Sequence, residues 1–226
     1  GPLVALVRDG TELQKQHAVM ALAGLATFDA HNRQAIASAG GIGPLVALVR
    51  DGTRLQKQHA AGALASLAQS DAHNRQAIAS AGGIGPLAAL VRDGTELQKQ
   101  AAVVALTCLD NKQAIATAGG ITPLVALVRD GTELQKQNAA ETLGLLALFD
   151  AHSRQAIASA GGIRSLVALV RDGTELQKQA AAGALAFLAF GDAHNRQAIA
   201  SAGGIGPLMA LVRDGTELQK QAAFMA

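Results

Sequence analysis

The residues of this chain that could carry chemistry are six histidines, one cysteine and a recurrent glycine-rich segment. Four histidines occupy the same place in copies of a repeated segment that begins with the letters DAH: His31, His73, His152 and His194. Equivalent positions of packed helices lie roughly 10 Å apart, which is too far to share a metal ion. His17 and His59 have no carboxylate or cysteine at ligand spacing, so we expect no zinc site.

The cysteine and the glycines give no clear catalytic pattern either. Cys108 has no basic residue beside it on its own predicted helix to lower the pKa of its thiol, so we expect an inert thiol. The segment GGIGP has glycines like those of a phosphate-binding loop, but no predicted strand precedes it, and we interpret it as a turn between helices. No Ser/His/Asp set stands out from the repeated background. We therefore expect a protein that is not an enzyme and uses no cofactor and no metal.

The amino-acid composition restricts the type of core, the partners and the compartment that can be expected. Half of the 226 residues are apolar, only 2% are aromatic, and the formal net charge is +2. A core of small aliphatic side chains suits closely packed helices. Without a basic stripe or an 18-residue apolar run, neither a nucleic-acid partner nor membrane insertion is expected. The single cysteine favours a reducing, intracellular compartment, and we expect the cytoplasm.

The sequence repeats itself with a regular period. The junction GPL, or its variants TPL and RSL, begins at residues 1, 43, 85, 122, 164 and 206, so the spacings are 42, 42, 37, 42 and 42 residues. Such a period predicts an array of stacked repeats, in which each repeat buries its apolar face on its neighbours.

Each period carries signals for three helices, and the first two are described here in the copy at 29–70. Asp29 can cap a first helix, AHNRQAIASA, that ends at Gly40 and Gly41, where a left-handed backbone is easily accommodated. Pro44 stands at an early position of a second helix, PLVALVR, where its missing N–H is not needed.

A third, longer helix follows in the same copy. Asp51 and Gly52 end the second helix, and Thr53 with Gln56 forms a capping-box pattern that opens the segment RLQKQHAAGALASLA. At the α-helical rise this helix is roughly 20 to 24 Å long. About seventeen helices are expected over the whole chain.

This pattern of a short, a medium and a long helix, with a Gly-Gly turn before the second, resembles the armadillo repeat over the whole chain. The resemblance implies an all-α, right-handed solenoid whose third helices line a concave groove. HEAT repeats, which have two helices at a similar length, are the alternative at the level of the fold.

The resemblance implies one solenoid, 1–226, made of six repeats. Their expected bounds are 1–28 (partial), 29–70, 71–109 (shortened), 110–149, 150–191 and 192–226 (truncated). Neither end has the polar capping repeat that a free solenoid needs. We therefore expect a piece of a longer array, or an array whose ends are covered. The segment CLDNKQ lacks five residues of SLAQSDAHNRQ, and we expect this deletion to alter the array locally.

Comparison of the copies separates constant from variable positions on the third helix. The copies of Ala18, Leu22 and Leu25 never change, and their spacing puts them on one face, which we expect to be the core. A second stripe varies, although the segment LQKQ beside it is constant. Its partner-binding candidates are His17, Met20, His59, Ser66, Val104, Cys108, Asn138, Glu141, Leu145 and Phe187. Drift after duplication is the alternative explanation. Leu13 and its copies lie near this stripe, and we expect them to be buried.

The resemblance has an informative exception. Armadillo proteins of the nuclear-import receptor and catenin kind hold a peptide backbone with an Asn ladder and Trp residues on the third helix. Here the Asn positions hold Gly24, Ser66, Cys108, Leu145 and Phe187, and the Trp positions hold Met20, Gly62, Val104, Glu141 and Gly183. Binding of nuclear-localisation signals is therefore not expected. The small and apolar stripe favours an apolar helix or loop of a protein partner, held by packing.

Three hypotheses on function follow. The first is a non-catalytic scaffold or adaptor that binds a partner segment in the groove. The second is a structural brace in a larger assembly, bound through its uncapped ends, with end-to-end self-association. The third is an engineered or consensus-type array, because the copies are so similar.

Overall fold

A computed structural model gives the architecture of the chain. It describes the backbone of residues 1–226 and every side chain except those of Ser70 and Phe149. Over this described backbone the chain forms seventeen α-helices and no strand. The predictions of an all-α protein and of about seventeen helices are confirmed.

Three kinds of helix recur in a fixed order. The first helices are α3 (Ala30–Ser38), α6 (Ala72–Ser80), α9 (Lys112–Thr117), α12 (Ala151–Ser159) and α15 (Ala193–Ser201). The second helices are α1 (Pro2–Asp9), α4 (Ile42–Asp51), α7 (Ile84–Asp93), α10 (Ile121–Asp130), α13 (Gly162–Asp172) and α16 (Ile205–Asp214). The third helices are α2 (Glu12–Phe28), α5 (Arg54–Ser70), α8 (Glu96–Cys108), α11 (Glu133–Phe149), α14 (Glu175–Ala189) and α17 (Glu217–Met225).

The helices pack into two compact units, the N-terminal unit Gly1–Ala118 and the C-terminal unit Gly119–Ala226. In the N-terminal unit the third helices pack in series, α2 on α5 and α5 on α8. In the C-terminal unit α11 packs on α14 and α14 on α17. In both units each second helix packs against the third helix that follows it.

The two glycines after each first helix have different roles. The carboxylate of Asp29 accepts hydrogen bonds from backbone N–H groups of the first turn of α3, which ends at Ser38. Gly40 follows with φ +73°, a left-handed conformation that glycine adopts without a steric cost. A Cβ at Gly41 would lie 2.8 Å from Cγ2 of Ile36, so this glycine permits a close approach instead. The prediction of a turn at Gly-Gly is correct.

The second helices begin slightly earlier than predicted. Helix α4 starts at Ile42, so Pro44 is its third residue instead of its first. Gly41, in right-handed helical conformation, serves as the N-cap without a side chain. Proline is tolerated here because the N–H groups of the first turn have no partner within the helix.

The third helices all begin with the predicted capping box. In α5 the Gln56 N–H donates to the Thr53 hydroxyl at 3.4 Å, and the Thr53 N–H donates to Oε1 of Gln56 at 2.9 Å. The Gln56 side chain is 1% exposed, and its Nε2 donates to the backbone carbonyl of Glu12 in the preceding third helix at 3.0 Å. The same bond between repeats recurs at Gln98, Gln177 and Gln219, at 2.8 to 2.9 Å. One glutamine therefore both starts its helix and ties it to the repeat before.

The five-residue deletion is compensated by a buried lysine. Where the junction between a third helix and the next first helix has its full length, an arginine of the first helix donates to a carbonyl near the end of that third helix, as Arg75 does to Ala68 at 3.1 Å. At the shortened junction between α8 and α9, Lys112 takes this role, and its ammonium donates to the carbonyls of Thr107 and Leu109. Burial lowers the pKa of Lys112. The deletion therefore changes the connection between α8 and α9, as expected, and the carbonyls at the end of α8 still have a hydrogen-bond donor.

The glutamine bridge can be tested by removing one amide. We expect Gln177→Ala to lower the free energy of unfolding by about 1–3 kcal/mol, because it leaves the Thr174 N–H and the Glu133 carbonyl without their partner. Gln179→Ala, two residues further on the same helix, is the control. It should lower the free energy of unfolding by about 0.5 kcal/mol or less. Urea unfolding followed by circular dichroism compares the two. Equal losses would contradict a special role for Gln177.

Candidate functional site

The ten candidate binding residues all lie on third helices, and none of them is buried. On α5 the core positions Ala60, Leu64 and Leu67 are 0% exposed, whereas His59 and Ser66 are partly accessible. The helix therefore has one face in the core and one accessible stripe, as predicted. The role of the stripe in binding stays a prediction.

Two expectations about leucines on these helices are wrong. Leu25 was expected in the core but is 43% exposed, because α2 packs on only one other third helix while α5 packs on two. Leu13 and its five copies were expected to be buried, but they are 46 to 63% exposed. Leu13 is the second residue of its helix. In α5, α8, α14 and α17 the glutamine that follows the equivalent leucine, and not the leucine itself, bonds to the preceding repeat. The accessible stripe therefore begins with a leucine in every copy.

In the N-terminal unit the stripe lines a cleft of about 360 Å³ between α2, α5 and α8, which we call the groove cleft. Its lining residues are Ala23 and Thr27 of α2, Gln58, His59, Gly62, Ala65, Ser66 and Gln69 of α5, and Leu97, Gln100, Ala101 and Val104 of α8. The structure thus brings the candidates His59, Ser66 and Val104 together at one surface.

The other candidates lie outside this lining. His17, Met20 and Cys108 are on the same three helices, and Met20 is 50% exposed. Asn138, Glu141 and Leu145 are on α11 and Phe187 is on α14, in the C-terminal unit. The carboxylate of Glu141 accepts a hydrogen bond from Nε2 of Gln137 at 3.0 Å.

The lining residues of the groove cleft that sequence reasoning missed include Leu97, Gln58 and Gln100. All three belong to copies of the constant segment LQKQ, and constancy alone did not mark them as accessible. Leu97 is 63% exposed, so it presents an aliphatic side chain at the cleft. The glutamine amides add donors and acceptors to a lining that has no Asp, Glu, Lys or Arg. His59 is the one residue of the lining with an ionisable side chain.

Gly62 of α5 lies in the lining of the groove cleft, and no neighbouring atom stands over it. A Cβ built at Gly62 would meet no atom within 4 Å, and the same is true at its copy Gly183. By contrast, a Cβ at Gly144 would lie 3.2 Å from Cα of Ala184, where two third helices pack closely. The glycine at position 62 is therefore not required by packing, and it leaves open space above α5.

A larger cleft, of about 830 Å³, lies in the C-terminal unit between the first helices α12 and α15. Its lining comes mostly from the segments AHSRQAIAS and AHNRQAIAS, which are nearly the same in every full-length repeat. His194 lies there, and the backbone N–H of its counterpart His31 donates to the Asp29 cap. This lining changes little from copy to copy, so it offers less basis for selective recognition than the groove cleft.

The chemistry of the remaining candidates is simple. Burial raises the pKa of the Cys108 thiol, which outweighs the opposite effect of the nearby Lys112 ammonium. Over the described residues no group of three or more His, Cys, Asp or Glu side chains could hold a metal ion. None of the described helices combines the length and the apolar run needed to cross a bilayer.

Known structures share this architecture over the full chain. An engineered protein has 30% sequence identity and a TM-score of 0.91, with 100% of this chain and 93% of that chain covered. A designed armadillo repeat protein has 26% identity and a TM-score of 0.91, covering 99% and 96%. Another, solved in complex with the peptide (KR)4, has 26% identity and a TM-score of 0.88, covering 99% and 96%. No protein-family model and no curated protein matches the sequence.

The repeat signals, the three-helix units and these structures agree. The chain has an armadillo-like repeat fold, and its architecture is an all-α solenoid. The resemblance drawn from the sequence is confirmed.

The state of Cys108 gives a test of the non-catalytic interpretation. We expect iodoacetamide to alkylate the folded protein at pH 8 at least about threefold more slowly than the protein in guanidinium, because burial raises the pKa of the thiol and leaves less thiolate. Mass spectrometry of timed samples gives both rates. Faster alkylation of the folded protein would indicate an activated thiol.

Proposed function

We propose that this protein is a non-catalytic protein-binding scaffold whose groove cleft holds an uncharged, largely apolar segment of a partner. The observation that carries the proposal is the cleft itself. The three third helices that form it present side chains that differ between copies, while the buried faces of the same helices are constant. A surface that varies on a constant frame suits selective recognition.

The lining indicates what the segment offers. Leu97 and Val104 supply aliphatic surface on α8, and the open space above Gly62 admits a side chain of the partner. Burial of apolar side chains there provides the largest favourable contribution to the free energy of binding, at about 25 cal/mol per Å² of apolar area.

Polar contacts supplement this packing. The amides of Gln58 and Gln100 hold the same position on neighbouring third helices, and each can donate to and accept from a peptide backbone. Two such amides in register can orient an extended segment in the way that the family's absent Asn ladder does. The preformed helices add little ordering cost on binding.

The known structures support a peptide-binding role in coarse terms. A designed armadillo repeat protein of the same fold was solved in complex with the basic peptide (KR)4. The groove cleft of this chain has no carboxylate in its lining, so we propose an uncharged segment in place of a basic one. The structures compared above are engineered or designed proteins, and a consensus-type array with this fold would use the same groove.

Filling the cleft tests the proposal. Short random peptides displayed on phage are selected against the wild-type protein, and their affinities are then measured by fluorescence anisotropy. We expect apolar, uncharged peptides whose affinity for Gly62→Phe falls at least about tenfold, because the ring occupies the open space above α5.

The matched control is Gly43→Phe, which adds the same ring to open space on α4, away from the groove cleft. It should bind the peptides as the wild type does. Equal binding by both variants would contradict the groove. Selection of basic peptides would contradict the proposed chemistry of the partner.

A further inference from the structure

A second cleft, of about 390 Å³, lies at the corner between α4 and α5, against α7, and we call it the Arg54 cleft. The C-terminal unit has a counterpart of about 380 Å³, which we call the Glu175 cleft. It is formed by α13, α14 and α16, the helices that correspond to α4, α5 and α7. Ten of the eleven lining positions of each cleft are equivalent, and among these ten the residue type differs only at one charged position. Arg54 stands where the other five copies have glutamate.

In the Glu175 cleft every charge has a partner of opposite sign. Arg171 pairs with Asp172 at 2.9 Å, and Lys178 lies 3.6 Å from Glu175. The third pair, Arg213 with Asp214 at 2.7 Å, completes the set. The charged residues of the lining itself are two cations, Arg171 and Lys178, and two carboxylates, Glu175 and Asp214, so the cleft is neutral.

The Arg54 cleft has two cations in excess. Arg50 pairs with Asp51 at 2.8 Å, and Arg92 pairs with Asp93 at 2.8 Å. Arg54 and Lys57 have no carboxylate within 4.0 Å among the described side chains. In four of the other five copies the corresponding lysine does pair with the glutamate three residues earlier.

The two unpaired positive charges lie close together at the start of α5. Arg54 and Lys57 are three residues apart, so they project from the same side of α5. They lie in the first turn of a 17-residue helix, where the helix dipole adds positive potential. A concave site with unpaired cations on its wall favours an anionic group.

We propose that the Arg54 cleft binds an acidic segment of a partner protein, with a carboxylate of the segment paired to Arg54 and Lys57. The volume of the cleft suits one or two side chains, and the guanidinium presents the fork geometry that matches a carboxylate. The excess charge is confined to one repeat, so the surface has none of the successive phosphate contacts that nucleic acids need. The site is separate from the groove cleft and does not depend on its function.

A labelled hexaglutamate peptide tests the proposal by fluorescence anisotropy at about 20 mM salt, where screening extends over roughly 20 Å. Arg54→Glu restores the residue of the other copies, so we expect the variant to fold normally. It should weaken binding at least about fivefold, because it reverses one charge and pairs Lys57. Lys57→Met should weaken binding by a smaller factor.

The second unit supplies a gain-of-function control. Glu175→Arg creates the Arg54 pattern in the Glu175 cleft, and the carbonyl of residue 175 still accepts from Gln219. This variant should bind a second hexaglutamate peptide, while Gly62→Phe should bind as the wild type does.

Three results would overturn the proposal. They are unchanged affinity in Arg54→Glu, equal binding of hexaglutamine, and no second site in Glu175→Arg. Arg54-dependent binding of a single-stranded DNA oligonucleotide without binding of hexaglutamate would also overturn it, in favour of a nucleic-acid site.

Discussion

The glutamine at the third position of each third helix is the interaction on which the rest of the structure depends. In every third helix its side-chain oxygen accepts the N–H of the capping threonine. In α5, α8, α14 and α17 its side-chain nitrogen also donates to a carbonyl of the preceding third helix, as Gln56 does to Glu12. The same amide thus determines where a helix starts and where it sits on its neighbour. A buried amide with both ends bonded tolerates no substitution without an unpaired group.

The contacts between repeats involve only one face of the third helix, and this explains why that face is constant while the other varies. On α5 the core face, with Ala60 and Leu64, packs against neighbouring helices, and Gln56 fixes the register. The accessible stripe has no role in either contact, and Gly62 on that stripe has open space above it. Side chains there can change without loss of the stack, so recognition and stability are carried by different residues.

The local signals of the sequence predicted most of the fold. Asp29, Thr53 and the Gly-Gly turn act through their own backbone neighbours, so their roles are visible in a few residues of sequence. Leu13 and its copies were wrongly predicted to be buried, because their exposure depends on how the adjacent repeat packs. The buried Lys112 was also not foreseen, because its partners are carbonyls that only the rebuilt loop brings together.

The candidate site was predicted in part, for a related reason. Comparison of the copies identified His59, Ser66 and Val104 from their variation. It could not identify Leu97 or Gln58, because these residues are constant and constancy alone does not separate a stacking role from an exposed one. Burial makes that distinction: Gln56 is 1% exposed, whereas Leu97 is 63% exposed.

The most direct test of this account replaces the variable set of α5 with that of α8, in the triple variant His59→Ala/Gly62→Val/Ser66→Cys. If the stripe has no part in stacking, the free energy of unfolding in urea should stay within about 1 kcal/mol of the wild type, with a small gain from the loss of a helix-interior glycine. A loss of about 2 kcal/mol or more would contradict the account, because it would show that the varying residues also hold the repeats together.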